Sequence, residues 1–199
     1  MNALPKLPPL MTVADFLDWP GDGTGMSYEL VDGVLRAMAP GSVTHGAIQS
    51  NLALLIGLHL RMHRPGCLLV TAPGIQPRLA ANWNFRIPDL GVTCARSQAG
   101  DLMMPDPLFV MEVLSPGNAG DTRENLRAYA TVPTIQEMLV VHSTEVKAEL
   151  LTKGADGAWP GSPSIILAGG TAHLASIGMV LQFDDAYEGT HLSPSRNAG

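Results

Sequence analysis

The run LFVMEVL (108–114) constrains the fold of this chain most. It has no polar alternation, and an apolar stretch of this length bounded by prolines and turn residues reads as a strand buried on both faces of a sheet. Such a strand needs a packed layer above and below it, so the expected class is α/β. The run has one polar member. Glu112 sits in its middle, where an ionised carboxylate costs several kcal/mol unless a metal, a cation or a proton answers it. Asp89, which opens DLGVTC (89–94) directly after Pro88, poses the same problem more mildly. An ion pair to an arginine such as Arg86 would account for either acid alone. Two acids on adjacent core strands, with Glu29 as a third strand acid, instead suggest hard oxygen ligands suited to Mg²⁺, with Mn²⁺ as a substitute.

The rest of the chain supplies the expected layers. At 199 residues, with 46% hydrophobic content, 21 Gly and 16 Pro, it suits a single turn-rich domain, expected over 12–188 between a flexible arm (1–11) and a flexible tail (189–199). Thr12 and Asp15 have the spacing of a capped helix start. SYELV and VLRAM flank Asp32-Gly33, a tight hairpin turn signal. From Val43 to Arg64 the period is helical, with Ile48, Leu52, Leu55, Ile56 and Leu60 on one stripe. CLLVTA, IQPRL, MLVVH and VKAELL read as strands, and Asp121 with Glu124 as the cap of a helix through Ala130.

A net charge of −6 excludes a uniformly basic nucleic-acid binder. The distribution is uneven: residues 1–100 carry seven Lys or Arg against six acids, residues 101–199 five against twelve, and no carboxylate lies between Asp32 and Asp89. Arg36, Arg61, Arg64, Arg78 and Arg86 fall in or near that acid-free segment and are the expected phosphate contacts of any anionic partner. Cys67 and Cys94 are too few for a disulfide framework and read as buried thiols in a reducing cytoplasm. The longest apolar run, Leu52 to Leu58, is too short to span a membrane. His59 and His63, at i and i+4, could join His45 on zinc, but HLRMH has no zinc-protease Glu.

The ordered series YELVDG (28–33), His45, IPD (87–89), VMEVLSP (110–116), DTRENLRAY (121–129) and VPTIQEMLVV (132–141) resembles the Uma-two family of restriction-endonuclease-like proteins, within the PD-(D/E)XK nuclease superfamily. The resemblance spans about residues 12–188. It implies a restriction-endonuclease-like core, a central mixed β-sheet flanked by α-helices, and Mg²⁺-dependent hydrolysis of DNA phosphodiesters, with a homodimer as the assembly. Asp89 and Glu112 would hold metal with the Val113 carbonyl, Glu29 would match the N-terminal acid, and His45 would join the site. The superfamily lysine has no counterpart here: Leu114 and Asn125 occupy its two positions, and Lys6, Lys147 and Lys153 lie far from the motif. Two functions therefore stay open, a metal-dependent endonuclease and a nuclease fold kept as a non-catalytic nucleic-acid or protein-binding module.

Overall fold

The computed structural model describes residues 10–193. Its centre is a six-stranded mixed sheet in the order β3 (Leu68–Thr71), β4 (Leu90–Thr93), β5 (Pro107–Leu114), β6 (Glu137–His142), β7 (Lys147–Thr152) and β8 (Ser164–Leu167). β5 and β6 run parallel and every other neighbour is antiparallel. The parallel pair requires a crossover, and α1 (Val13–Leu17) and α2 (Val43–His63) precede it, so α3 (Ala119–Tyr129) makes the connection.

The period of two along β5 sorts its side chains. Phe109, Met111 and Val113 face the α2 layer, packing with Ile48, Leu52, Ile56 and Leu60. Val110 and Glu112 face α3, where Val110 joins Leu126, Tyr129, Ile135 and Val140. α2 is the expected helix with the expected stripe, and Ser42 caps it by accepting from the His45 backbone N–H. On the α2 layer also lie the hairpin β9 (Thr171–Leu174) and β10 (Met179–Gln182) and the turn Phe183–Tyr187; the carbonyls of Ala186 in that turn and of Glu188 just after it accept from Asn51.

The N-terminal hairpin, β1 (Tyr28–Val31) and β2 (Val34–Ala37), turns at Asp32 and Gly33 with φ of 47° and 81°, the left-handed pair that Asp-Gly tolerates. It is a separate two-stranded sheet, tied to the body by the Leu30–Phe85 bridge and a small cluster of Val13, Leu30 and Phe85. The capping box of Thr12 and Asp15 is present. Met11 donates to the Gly33 carbonyl, and residues 1–9 of the expected arm lie outside the described residues. In the tail, Thr190 and Ser193 close turns on the body, and His191 reaches Thr44 at 3.3 Å.

Three local expectations are corrected. IQPRL is not a strand: Ile75 makes a lone bridge to Arg86, and Pro77 has no N–H to extend it. α3 begins at Ala119, so Asp121 lies inside its first turn and not at the cap. Cys67 and Cys94 are not buried thiols; they form a disulfide, with Cys94 exposed and Cys67 half-buried. Their pairing follows from the register, because Leu68 lies opposite Thr93 and the next positions outward are the two cysteines.

Candidate active site

The register of β4 on β5, Leu90 opposite Met111 and Gly91 opposite Val110, makes Asp89 and Glu112 the next facing pair. Both line a cavity of about 950 Å³ that also takes in Glu29, Arg36, His45, Gln49, Ser115, Asp121, Asn125 and Ser143. The cavity opens beyond the carboxyl ends of the parallel strands β5 and β6, where open α/β sheets place their ligand crevices.

Each acid is held by an i, i+4 pair on a different helix. On α2, His45 Nε2 lies 3.0 Å from Asp89 Oδ1, and Gln49 Nε2 donates to the Asp89 carbonyl at 2.9 Å. Asp89 Oδ2 accepts the Val113 backbone N–H at 2.6 Å. On α3, Tyr129 Oη donates to Glu112 Oε1 at 2.9 Å, and Asn125 Nδ2 approaches the same oxygen at 3.4 Å. Gly41 leaves room for His45, since a Cβ there would come within 2.8 Å of the imidazole ring.

Glu29 arrives on the hairpin and has both oxygens engaged, Oε1 by the Ile87 N–H at 2.8 Å and Oε2 by Arg36 Nη2 at 2.7 Å. Asn125 links the three elements. Its Nδ2 reaches Glu29 at 3.2 Å, while its Oδ1 accepts from Arg36 at 2.7 Å and from Arg86 at 3.2 Å. Two guanidinium groups therefore face the acids through the amide that stands where a lysine was expected.

The electrostatics follow from this crowding. Burial, then the charges of Asp89 and Glu29, push the Glu112 carboxyl well above the usual carboxylate range. Burial, followed by Glu112 and Glu29, likewise raises the Tyr129 phenol. Burial works against the Arg36 charge, but Glu29, Asp121 and Glu124 outweigh it and raise its pKa.

The five arginines expected to meet phosphate are dispersed. Arg36 lines the cavity in ion pairs with Glu29, Asp121 and Glu124. Arg86 is 1% exposed and bonded to Asn84, Asn125 and Glu124, so it is an internal cation and not a phosphate contact. Arg64 donates to the Ser176 carbonyl, and Arg78 is exposed beside Thr131. Arg61 is exposed near the far end of α2, about 24 Å along the helix from His45. Arg123 is taken up by Glu149, whose carboxyl it lowers to about 2 together with His142. The His59 and His63 rings meet at a tilt of 37°, and His59 lies 3.1 Å from the Ile177 carbonyl, away from His45.

Glu29, Asp89, Glu112, Asn125 and His45, all expected from the sequence, meet around one cavity. Tyr129 and Gln49 were not anticipated, although each lies four residues beyond an expected site residue on the same helix. The oxygens of Asp89, Glu112 and the Val113 carbonyl suit a hard divalent cation, and the raised Glu112 shows a carboxylate pair that a cation would relieve. Among the described residues no three His, Cys, Asp or Glu side chains converge on one metal position, so the carbonyl and solvent would have to complete the coordination. The Val113 carbonyl already accepts from Asn118 at 3.1 Å and retains a second lone pair.

Comparisons with known proteins agree with this architecture. Residues 13–174 match the model of the Uma2 family, described as "Putative restriction endonuclease". An uncharacterized protein of Synechocystis sp., slr1290, is 32% identical over 190 residues, covering 93% of each chain. A second uncharacterized Synechocystis protein, sll1609, is 24% identical over 156 residues, covering 75% of this chain and 85% of its own. In three dimensions the chain is similar to the crystal structure of a "putative nuclease belonging to DUF820" from Anabaena variabilis, with a TM-score of 0.71 at 16% identity over 89% of this chain and 97% of that one. With the family model covering most of the chain and the nuclease-like fold in agreement, this protein belongs to the Uma2 family.

Proposed function

We propose that the chain is a divalent-cation-dependent endonuclease acting on DNA, with Asp89 and Glu112 as the metal ligands. One observation carries the reading. Two carboxylates face each other across adjacent core strands at the floor of a wide cavity, and burial, with the charges of Asp89 and Glu29, pushes the Glu112 carboxyl well above its usual range, a cost that a cation joining the pair would relieve. A structural role alone does not favour burying such a pair.

A Mg²⁺ or Mn²⁺ ion at these oxygens would polarise a phosphodiester and lower the pKa of a bound water, so that the hydroxide left when it gives up a proton could attack. The chain's own residues then divide the work. Asp89 is fixed by the Val113 N–H and by His45, so its carboxylate cannot rotate away from Glu112. His45 lines the cavity with Nε2 on Asp89, where it can hold or pass on a proton. Glu29 has no free oxygen and instead anchors Arg36 and Asn125 beside the acids. Arg36 brings its positive charge to the cavity wall, which would draw an anionic substrate towards the acids.

The second reading, a binding module without catalysis, is favoured by Asn125, which brings neither a proton nor a charge of its own at neutral pH. Calorimetric titration of Mg²⁺ and Mn²⁺ into wild type and Asp89→Asn, paired with cleavage of plasmid and single-stranded DNA, separates the two. Metal binding and cleavage, both lost in the variant, are expected. Nucleic-acid binding indifferent to metal and to the substitution would establish the module.

A further inference from the structure

Glu112 has two carboxylate oxygens, and the protein engages one of them. Oε1 accepts from the Tyr129 hydroxyl and, more weakly, from Asn125 Nδ2, while no donor among the described residues reaches Oε2. Glu112 keeps 6% of its surface and lines the cavity, so Oε2 is the oxygen left to face it. The grip on Oε1 is rigid. Tyr129 is fully buried, its ring packed among Val110, Ile135, Met138 and Val140. Asn125 cannot turn its amide, because Oδ1 is held by Arg36 and Arg86 on one side while Nδ2 serves Glu29 and Glu112 on the other.

We propose that Tyr129 is a positioning residue that makes Glu112 a one-oxygen ligand and thereby sets which divalent cation the site accepts. This rests on the metal-dependent reading above. An oxygen that already accepts two hydrogen bonds has no lone pair left for a cation, so Glu112 can offer only a single contact. Mg²⁺ and cations of its size demand six ligands in a tight octahedron and tolerate that. Ca²⁺ takes six to eight oxygens at longer distances and commonly draws both oxygens of a carboxylate. The Tyr129 hydroxyl therefore disfavours Ca²⁺ by withholding Oε1, and it does so without touching the cation.

The test titrates MgCl₂ and CaCl₂ separately into the full chain by calorimetry, for wild type, Tyr129→Phe and Asn125→Ala, with thermal unfolding of each metal-free protein alongside. Tyr129→Phe keeps the buried ring and removes only the hydroxyl. The ratio of Ca²⁺ to Mg²⁺ dissociation constants is expected to fall by about two- to tenfold, the range that one hydrogen bond commands. Asn125→Ala frees the same oxygen from the other side and should shift the ratio in the same direction, which keeps the inference testable if the tyrosine variant does not fold. A merely structural role would weaken both metals together and leave the ratio where it was. Wild type that binds Mg²⁺ with a ratio unchanged in both variants overturns the role of Tyr129 alone. Wild type that binds neither cation overturns the metal-dependent reading and this inference with it.

Discussion

Replacing Glu112 by Gln should stabilise the metal-free protein, and increasingly so as pH rises. The side chain is buried and faces Asp89 and Glu29, so its proton is bound more tightly in the folded chain than in the unfolded one, where the carboxyl has its usual value near 4.5. The sign follows from linkage. Below that value both states carry the proton and the folded state keeps the full benefit; above it the unfolded state releases the proton first, and stability falls until pH passes the folded value. For one proton the loss is at most about 1.4 kcal/mol per pH unit, or about 3 kcal/mol between pH 5 and pH 7 while the folded value stays above that window. Glutamine has nearly the same shape and can still accept from Tyr129 with its carbonyl, but it carries no charge at any of these pH values. Urea unfolding of both proteins in chelator at pH 5, 6 and 7 would read the difference directly, since every other titrating group is common to the two. Stability relative to wild type should grow along that series, and added Mg²⁺ should rescue wild type alone. A difference that stays constant from pH 5 to pH 7 would refute the assignment of Glu112 as the strained acid of the cluster.

The disulfide offers a second measurement: it closes a loop of 27 residues, which in the chain-entropy account is worth up to about 3.5 kcal/mol. A Cys67→Ala, Cys94→Ala variant should lose stability on that scale, and one as stable as the oxidised wild type would show that strand pairing alone holds the sheet edge. Light scattering at micromolar concentration should give about twice the 21.0 kDa chain mass if the expected homodimer forms, for which the exposed Leu54, Leu58 and Met62 along α2 provide an apolar stripe. A particle of 21.0 kDa across that range would remove the dimer.

What was legible in the sequence was mostly local. LFVMEVL declared a central strand because nothing in it could face water except Glu112, and Asp-Gly declared a hairpin because both residues tolerate a left-handed backbone. The site residues were legible through the family motifs, but their mutual arrangement was not. That Asp89 faces Glu112 depends on the register between strands separated by a long loop, which no local pattern encodes. Arg86 looks like a surface cation in an acid-free segment; it is internal because Asn84, Asn125 and Glu124, two of them far along the chain, converge on its guanidinium. The cysteines sit in apolar stretches that suggest burial, yet they lie at the ends of an edge strand and its neighbour, where register brings them together. Tyr129 and Gln49 carried a usable signal. Each shares a helix face with a suspected site residue, and an i, i+4 companion is the first place to look for what holds an acid still.

The small hairpin that delivers Glu29 and Arg36 divides the protein's resistance to opening. The central sheet is sealed by two broad apolar layers, whereas the hairpin rests on a cluster of a few side chains, one bridge and a set of ion pairs. Local opening free energies follow buried apolar contacts, so its amides should exchange with solvent well before those of β5 and β6. Screening weakens the partly exposed pairs of Arg36 with Asp121 and Glu124, so salt should loosen the hairpin while leaving the sheet untouched. One wall of the cavity is thus thermodynamically softer than its floor, and Asp89 and Glu112 belong to the part of the molecule that opens last.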